Sequence, residues 1–208
     1  MTTLATSTPI TPTSRPVVPT RAAGTLLTLG SLAWIAVLPF TADSSDHGVV
    51  GVIGALAALA FQAGVVWLLA TQYRTAAMGD GRVARGFHRL QFVLMGGAMG
   101  STGLDGLGVL HGTPVWAAFD ACWPLSMLGM LGIGIRIAIA GRWTGILRWW
   151  TLGAQSWFAL VPVAMTGGAI AMVLPSVHVV LGYAVLGVLL ARVGGLVRRH
   201  DGSVVSAR

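Results

Sequence analysis

The stretch LQFVLMGGAMGSTGLDGLGVL, Leu90 to Leu110, decides the fold. As a helix rising about 1.5 Å per residue it is long enough to cross a bilayer, and it is apolar enough to stay there. Wound at ~100° per residue, it carries Gly96, Gly100 and Gly103 on one face and Gln91, Ala98, Ser101, Thr102 and Asp105 on the opposite one. The glycine face invites close approach by a neighbouring span or a second protomer. The other face holds polar groups that hydrocarbon does not solvate. Neither face suits lipid, so this helix is expected in the middle of a bundle.

The rest of the chain repeats the pattern of long apolar runs. Of 208 residues, 55% are hydrophobic and 9% charged, whereas soluble domains carry roughly 25% charge. The expected class is all-α, a polytopic membrane protein built as a bundle of six transmembrane helices. The spans are placed at 22–40, 49–70, 90–110, 115–137, 150–174 and 177–195, with Pro162 kinking the fifth. Residues 1–21 read as a disordered Ser/Thr/Pro tail and 198–208 as a basic tail. The first apolar run is longer than a secretory signal core and lacks a good cleavage site after it, so it is read as retained.

Orientation comes from the arginines. Net charge is +7, and all the basic residues other than histidine are Arg. They precede span one (Arg15, Arg21), fill the connection between spans two and three (Arg74, Arg82, Arg85, Arg89), mark the one between four and five (Arg136, Arg142, Arg148) and follow span six. The opposite connections, around 41–48, 111–114 and 175–176, contain none. Both termini are therefore expected in the cytoplasm of a cell-membrane protein. The arginines are read as orientation signals and contacts to anionic lipid headgroups of the bilayer, and nucleic acid is rejected as a partner. Trp143, Trp149 and Trp150 are expected at the inner interface, indole N–H toward water.

Asp105 and Asp120 are the strongest chemical pointers. The short connection between spans three and four puts both carboxylates ~9 Å below the same membrane surface. An ionised carboxylate in a span costs about 2.5–3.5 kcal/mol on insertion scales, so it needs a partner or a role. One reading is a binding site for a proton, a cation or a small amine, with Asp105 and Asp120 binding while Thr102, Ser101 and Gln91 orient. The other is structural: each aspartate hydrogen-bonds a neighbour such as Ser101 or Trp123 and locks the bundle. Gln62, Gln155, Pro162 and Thr166 extend the polar stripe, either as a lining or as interhelical hydrogen bonds worth ~0.6 kcal/mol each.

The outward turns each carry a histidine, His47, His111 and His178. With Asp43 and Asp46 they supply metal-type ligands on one side, but no tight pair of the H-x3-H kind occurs. A metal is thus an open option and no other cofactor is expected; haem fails for want of facing histidines within spans. Cys122 stands alone, so no intrachain disulfide forms. The phosphate-loop, zinc-protease and serine-hydrolase motifs are absent, and without a single Glu many acid–base schemes fall away. Three functions stay open: a small carrier or binding protein with an outward-facing carboxylate site, a non-enzymatic structural or partner-binding membrane protein, and a membrane metalloenzyme or redox protein using the outer histidines.

Overall fold

The computed structural model describes residues 20–41 and 48–192. The expected N-terminal tail up to residue 19, Asp43, Asp46, His47 and everything from residue 193 lie outside the described residues. Within them the chain is helical, with no strand. The helices are α1 (Thr20–Thr41), α2 (Val49–Arg74), α3 (Arg82–Gly106), α4 (Pro114–Asp120), α5 (Cys122–Ala140) and α6 (Gly145–Gln155). After a 3-10 turn over Ser156–Leu160 come α7 (Val161–Ala164) and α8 (Gly168–His178). A π-helical segment, Val179–Ala184, then runs into α9 (Val185–Arg192). Four stretches are long and apolar enough to cross a membrane: Thr20–Thr41, Val49–Arg74, Pro114–Ala140 and Gly168–Arg192. Such helices, with Leu29, Leu56, Val93 and Ile139 exposed on their flanks, fit a membrane protein, whose outer surface is solvated by lipid.

The helices close a ring. α1 packs on α2, α2 on α3, α3 on α5, and α5 on α6; α6 meets the π segment and α9, which return to α1. The expectation that the Leu90–Leu110 helix is central is therefore corrected: α3 is one stave of the ring. Its inner stripe is His88, Gln91, Met95, Ala98 and Ser101, all buried. Its glycine face is only partly used. A Cβ on Gly100 would touch Phe119, but one on Gly96 or Gly103 would meet no atom within 4 Å.

The closest approaches of glycine to a neighbouring backbone lie instead around α1. A Cβ on Gly24 would overlap the carbonyl of Gly187 and come within 2.6 Å of the Ala191 nitrogen, and one on Gly64 would come within 2.7 Å of Leu27 Cα. Backbones that approach so closely gain dispersion and Cα–H···O contacts, which drive association between helices where lipid is as apolar as leucine.

Two span ends differ from expectation. α3 stops at Gly106, and the chain turns through Gly108 (φ 64°), Leu110 (φ 61°) and Gly112 (φ 77°). The stretch expected as the fifth span, 150–174, is broken into short helices and is not among the four stretches long and apolar enough to cross. Pro162 has no N–H and its ring crowds the carbonyl four residues back, and the chain tightens into the 3-10 turn before it. Reversal then comes at Gly167 (φ 76°) and Gly168 (φ 74°), consecutive left-handed positions that glycine adopts without cost. Pro175, read from sequence as the turn, sits inside α8.

Tracing antiparallel neighbours, one end of the ring collects Arg21, Arg74, Arg82, Arg85, Arg142, Arg148 and Arg192. Two contacts tie its connections together. Arg142 grips Asp80 with both guanidinium nitrogens, Nη1 to Oδ1 at 3.1 Å and Nη2 to Oδ2. Trp143, expected to face interfacial water, is fully buried and donates to Thr75 Oγ1 at 3.1 Å. Trp149 is exposed, and Trp150 donates to the Leu181 carbonyl at 2.9 Å.

Candidate functional site

A small, partly open cavity of about 30 Å3 is lined by Phe61, Gln62, Met95, Trp123, Ser126, Trp157 and Tyr183, among others. That is room for the centres of one or two waters, since one needs roughly 10–15 Å3. Four elements bring aromatic rings to it. Phe61 stacks on Trp34 with centroids 4.9 Å apart and meets Tyr183 edge-on at 5.3 Å; Trp123 and Trp157 meet edge-on at 5.2 Å. Four ring systems thus line one wall of the cavity, packed against one another face-to-edge.

Of the buried glutamines, Gln62 lines this cavity, and Gln91, Gln72 and Gln155 lie farther toward the arginine-rich end. Gln62 Nε2 donates to Thr102 Oγ1 at 2.8 Å, Gln91 Nε2 to the Ser126 carbonyl at 2.9 Å, and Gln155 Nε2 to Gln72 Oε1 at 3.3 Å. All four are almost wholly buried. Among the described residues, Gln62 Oε1, Gln91 Oε1 and Gln155 Oε1 accept no hydrogen bond. Thr102 donates to the Ala98 carbonyl and Ser126 to the Trp123 carbonyl, so neither hydroxyl serves these oxygens; Gln72 Nε2 is a buried donor likewise without a partner among the described residues. A buried unmet acceptor costs about 1–3 kcal/mol, and of the three oxygens it is that of Gln62 whose side chain lines the cavity, where it favours an occupant that donates.

At the arginine-free end the two aspartates are held by separate partners. Asp120 Oδ1 accepts from Ser101 Oγ at 3.3 Å, linking α4 to α3. Asp120 closes α4, and Pro124 follows four residues later, with no N–H to give the Asp120 carbonyl. The break between α4 and α5 thus leaves both a carboxylate and a freed carbonyl about one helical turn, ~5 Å, from Trp123 in the cavity wall. Asp105 Oδ1 is more exposed. It accepts from Trp116 Nε1 at 2.6 Å and lies 3.2 Å from His111 Nδ1, whose ring packs on Trp116 at 4.6 Å. Trp116→Phe should keep the packing and remove the short bond to a half-exposed carboxylate, costing about 1 kcal/mol. For a chain of this size that is a fall of about 2–4 °C in Tm, read by thermal unfolding in detergent; an unchanged Tm would show the contact to be incidental.

Of the five candidate ligand-binding residues, Ser101 and Asp120 bond each other between α3 and α4, Thr102 holds Gln62, and Gln91, roughly 15 Å along α3 from Ser101, bonds the Ser126 carbonyl instead, while Asp105 belongs to the outer turn with His111. The two described outer histidines have separate partners, His111 at Asp105 and His178 at the Ala154 carbonyl. His178 is not in a turn at all: it ends α8, and its Nε2 lies 3.1 Å from the Ala154 carbonyl. The reason is the displaced reversal at Gly167, which carries His178 ten residues into the last helix. Among the described residues no three His, Cys, Asp or Glu side chains gather as a metal site. The aromatic wall and Gln72 were not singled out from sequence; Pro124, four residues after Asp120, was the legible sign of a broken helix at a carboxylate.

Comparison with known protein families, with characterised proteins and with solved structures found no match.

Proposed function

We propose that this chain is a six-span protein of the cell membrane, both ends cytoplasmic, that binds and carries a small cation, best fitted by ammonium or methylammonium. The observation that carries this reading is the aromatic-lined cavity that holds the unmet oxygen of Gln62, with Asp120 one turn away along the chain. Ammonium and its smallest amines donate three or four N–H groups, carry the charge that Asp120 favours, and are small enough for the space. Ser101 orients the Asp120 carboxylate, and Gln62, held through Thr102, offers its oxygen to the occupant. Gln91 supports the wall through Ser126. Asp105, with His111 and Trp116, stands at the mouth. The arginine-rich end faces the cytoplasm and its anionic lipid headgroups.

The test is uptake into liposomes containing the purified protein. Labelled methylammonium should accumulate saturably and be displaced by ammonium, while tetramethylammonium, too large for the cavity, should not compete. Equal behaviour of protein-containing and empty liposomes would overturn the carrier reading, and failure of ammonium to raise the Tm of the detergent-solubilised protein would overturn binding as well.

A second reading, a structural or partner-binding membrane protein, is favoured by one observation: the glutamines fit so closely against α5 that a Cβ on Gly129 would overlap Gln91 Oε1. On that reading the glutamines clamp helices and Asp→Asn changes alter assembly rather than flux.

A further inference from the structure

A second cavity, of about 280 Å3, opens between the arginine-rich ends of α2 and α3, lined by Tyr73, Arg74, Asp80, Ala84, Arg85 and His88 among others. We infer that it is a binding site for a phosphate group, carried by a lipid headgroup or free in solution.

Three independent features converge there. Arg74 closes α2 and Arg85 lies in the first turns of α3, so two guanidiniums reach the same space from different helices. Asp80 also lines it, but both its oxygens are held by Arg142. Counting Arg74, Arg85, Arg142 and Asp80, the wall keeps two positive charges. The start of α3 opens beside the cavity, and its N-cap, Gly81, supplies no side-chain oxygen to the first-turn N–H groups. Those groups carry the partial positive end of the helix dipole and suit an anion.

His88 is the third feature. It is 2% exposed, and its Nδ1 is 3.2 Å from the Ala84 carbonyl, which accepts only, so Nδ1 carries a proton. Among the described residues its Nε2 has no partner. A buried polar group left in this state points to something absent from the bare chain. Tyr73, edge-on to the His88 ring at 5.8 Å, fixes the imidazole beside the cavity. Paired guanidiniums and helix N–H groups match the oxygens of a phosphate in number and in charge, while His88 Nε2, which carries the lone pair, accepts from a hydroxyl of the phosphate or of a glycerol headgroup.

The experiment uses the full chain in neutral detergent and two pairs of variants of equal charge. Arg74→Gln with Arg85→Gln removes the cavity's guanidiniums; Arg82→Gln with Arg89→Gln removes two others on the same connection. Retention of phosphatidylglycerol over phosphatidylcholine, read as lipid adducts by mass spectrometry, should fall about tenfold in the first pair and less than about twofold in the second. If inorganic phosphate or glycerol 3-phosphate alone raises the Tm, and only in protein with the first pair intact, the source is a free phosphate; if only phosphatidylglycerol is retained, it is a lipid. Equal losses in both pairs, or no preference for either form of phosphate, would overturn the site. Methylammonium uptake should be the same in both pairs, so this outcome is separable from that of the cation site.

Discussion

Asp120→Asn should leave the fold standing and abolish methylammonium uptake. Asparagine keeps an oxygen for Ser101 Oγ, which lies 3.3 Å from Oδ1, so the α3–α4 link survives. What disappears is the negative charge. A unit charge roughly 5–10 Å from a bound cation contributes on the order of 1.5–3 kcal/mol at an effective dielectric near 20, about tenfold to a hundredfold in affinity. The break imposed by Pro124 is untouched, so the freed Asp120 carbonyl stays in place. Asp105→Asn should have a smaller effect, under about tenfold by the same arithmetic, because Asp105 already accepts from Trp116 at the exposed end of α3. The pair of variants thus separates a site at the cavity from one at the mouth. Uptake by Asp120→Asn at the unaltered rate would remove the cation reading, and loss of helicity by circular dichroism would move Asp120 to the structural side.

Gly187→Ala should destabilise the protein by about 1–3 kcal/mol, the usual cost of forcing atoms into a filled contact. The added methyl would meet Thr28 Oγ1 and come within 2.5 Å of the Gly24 carbonyl and 2.8 Å of the Thr28 nitrogen. Two of those three are backbone atoms of α1, which cannot swing aside as a flexible side chain does. The ring closes where α1 meets α9, so the strain should lower Tm rather than remain local. Gly103→Ala is the control. Its methyl would meet nothing within 4 Å, and alanine improves helix propensity by up to about 1 kcal/mol. Thermal unfolding of both variants in the same detergent should move in opposite directions or leave Gly103→Ala unchanged. A larger fall for Gly103→Ala than for Gly187→Ala would mean that the α3 face, not the α1–α9 crossing, is the one that matters.

The sequence by itself determined the class of architecture. Hydropathy is a property of each run taken alone, and apolar runs of this length need no tertiary partner to be recognised. It also set Ser101 and Asp120 on neighbouring helices beside one turn, because helical periodicity and one short connection are local. The spacing of the arginines is local in the same way, and the helix pairing then gathers them at one end. Tertiary structure decided the rest. The rotation and neighbours of each helix are set by many small packing terms, each worth well under a kcal/mol, that no single stretch contains. Hence α3 became a stave and not the axis, and Gly24, Gly64 and Gly187 became the crossing points in a chain with 29 glycines. The last reversal fell at Gly167 and Gly168, where backbone freedom outweighed the proline at 175. The cavity could only emerge at that level: Phe61, Trp123, Trp157 and Tyr183 come from distant parts of the chain, and only closure of the ring makes one wall of them.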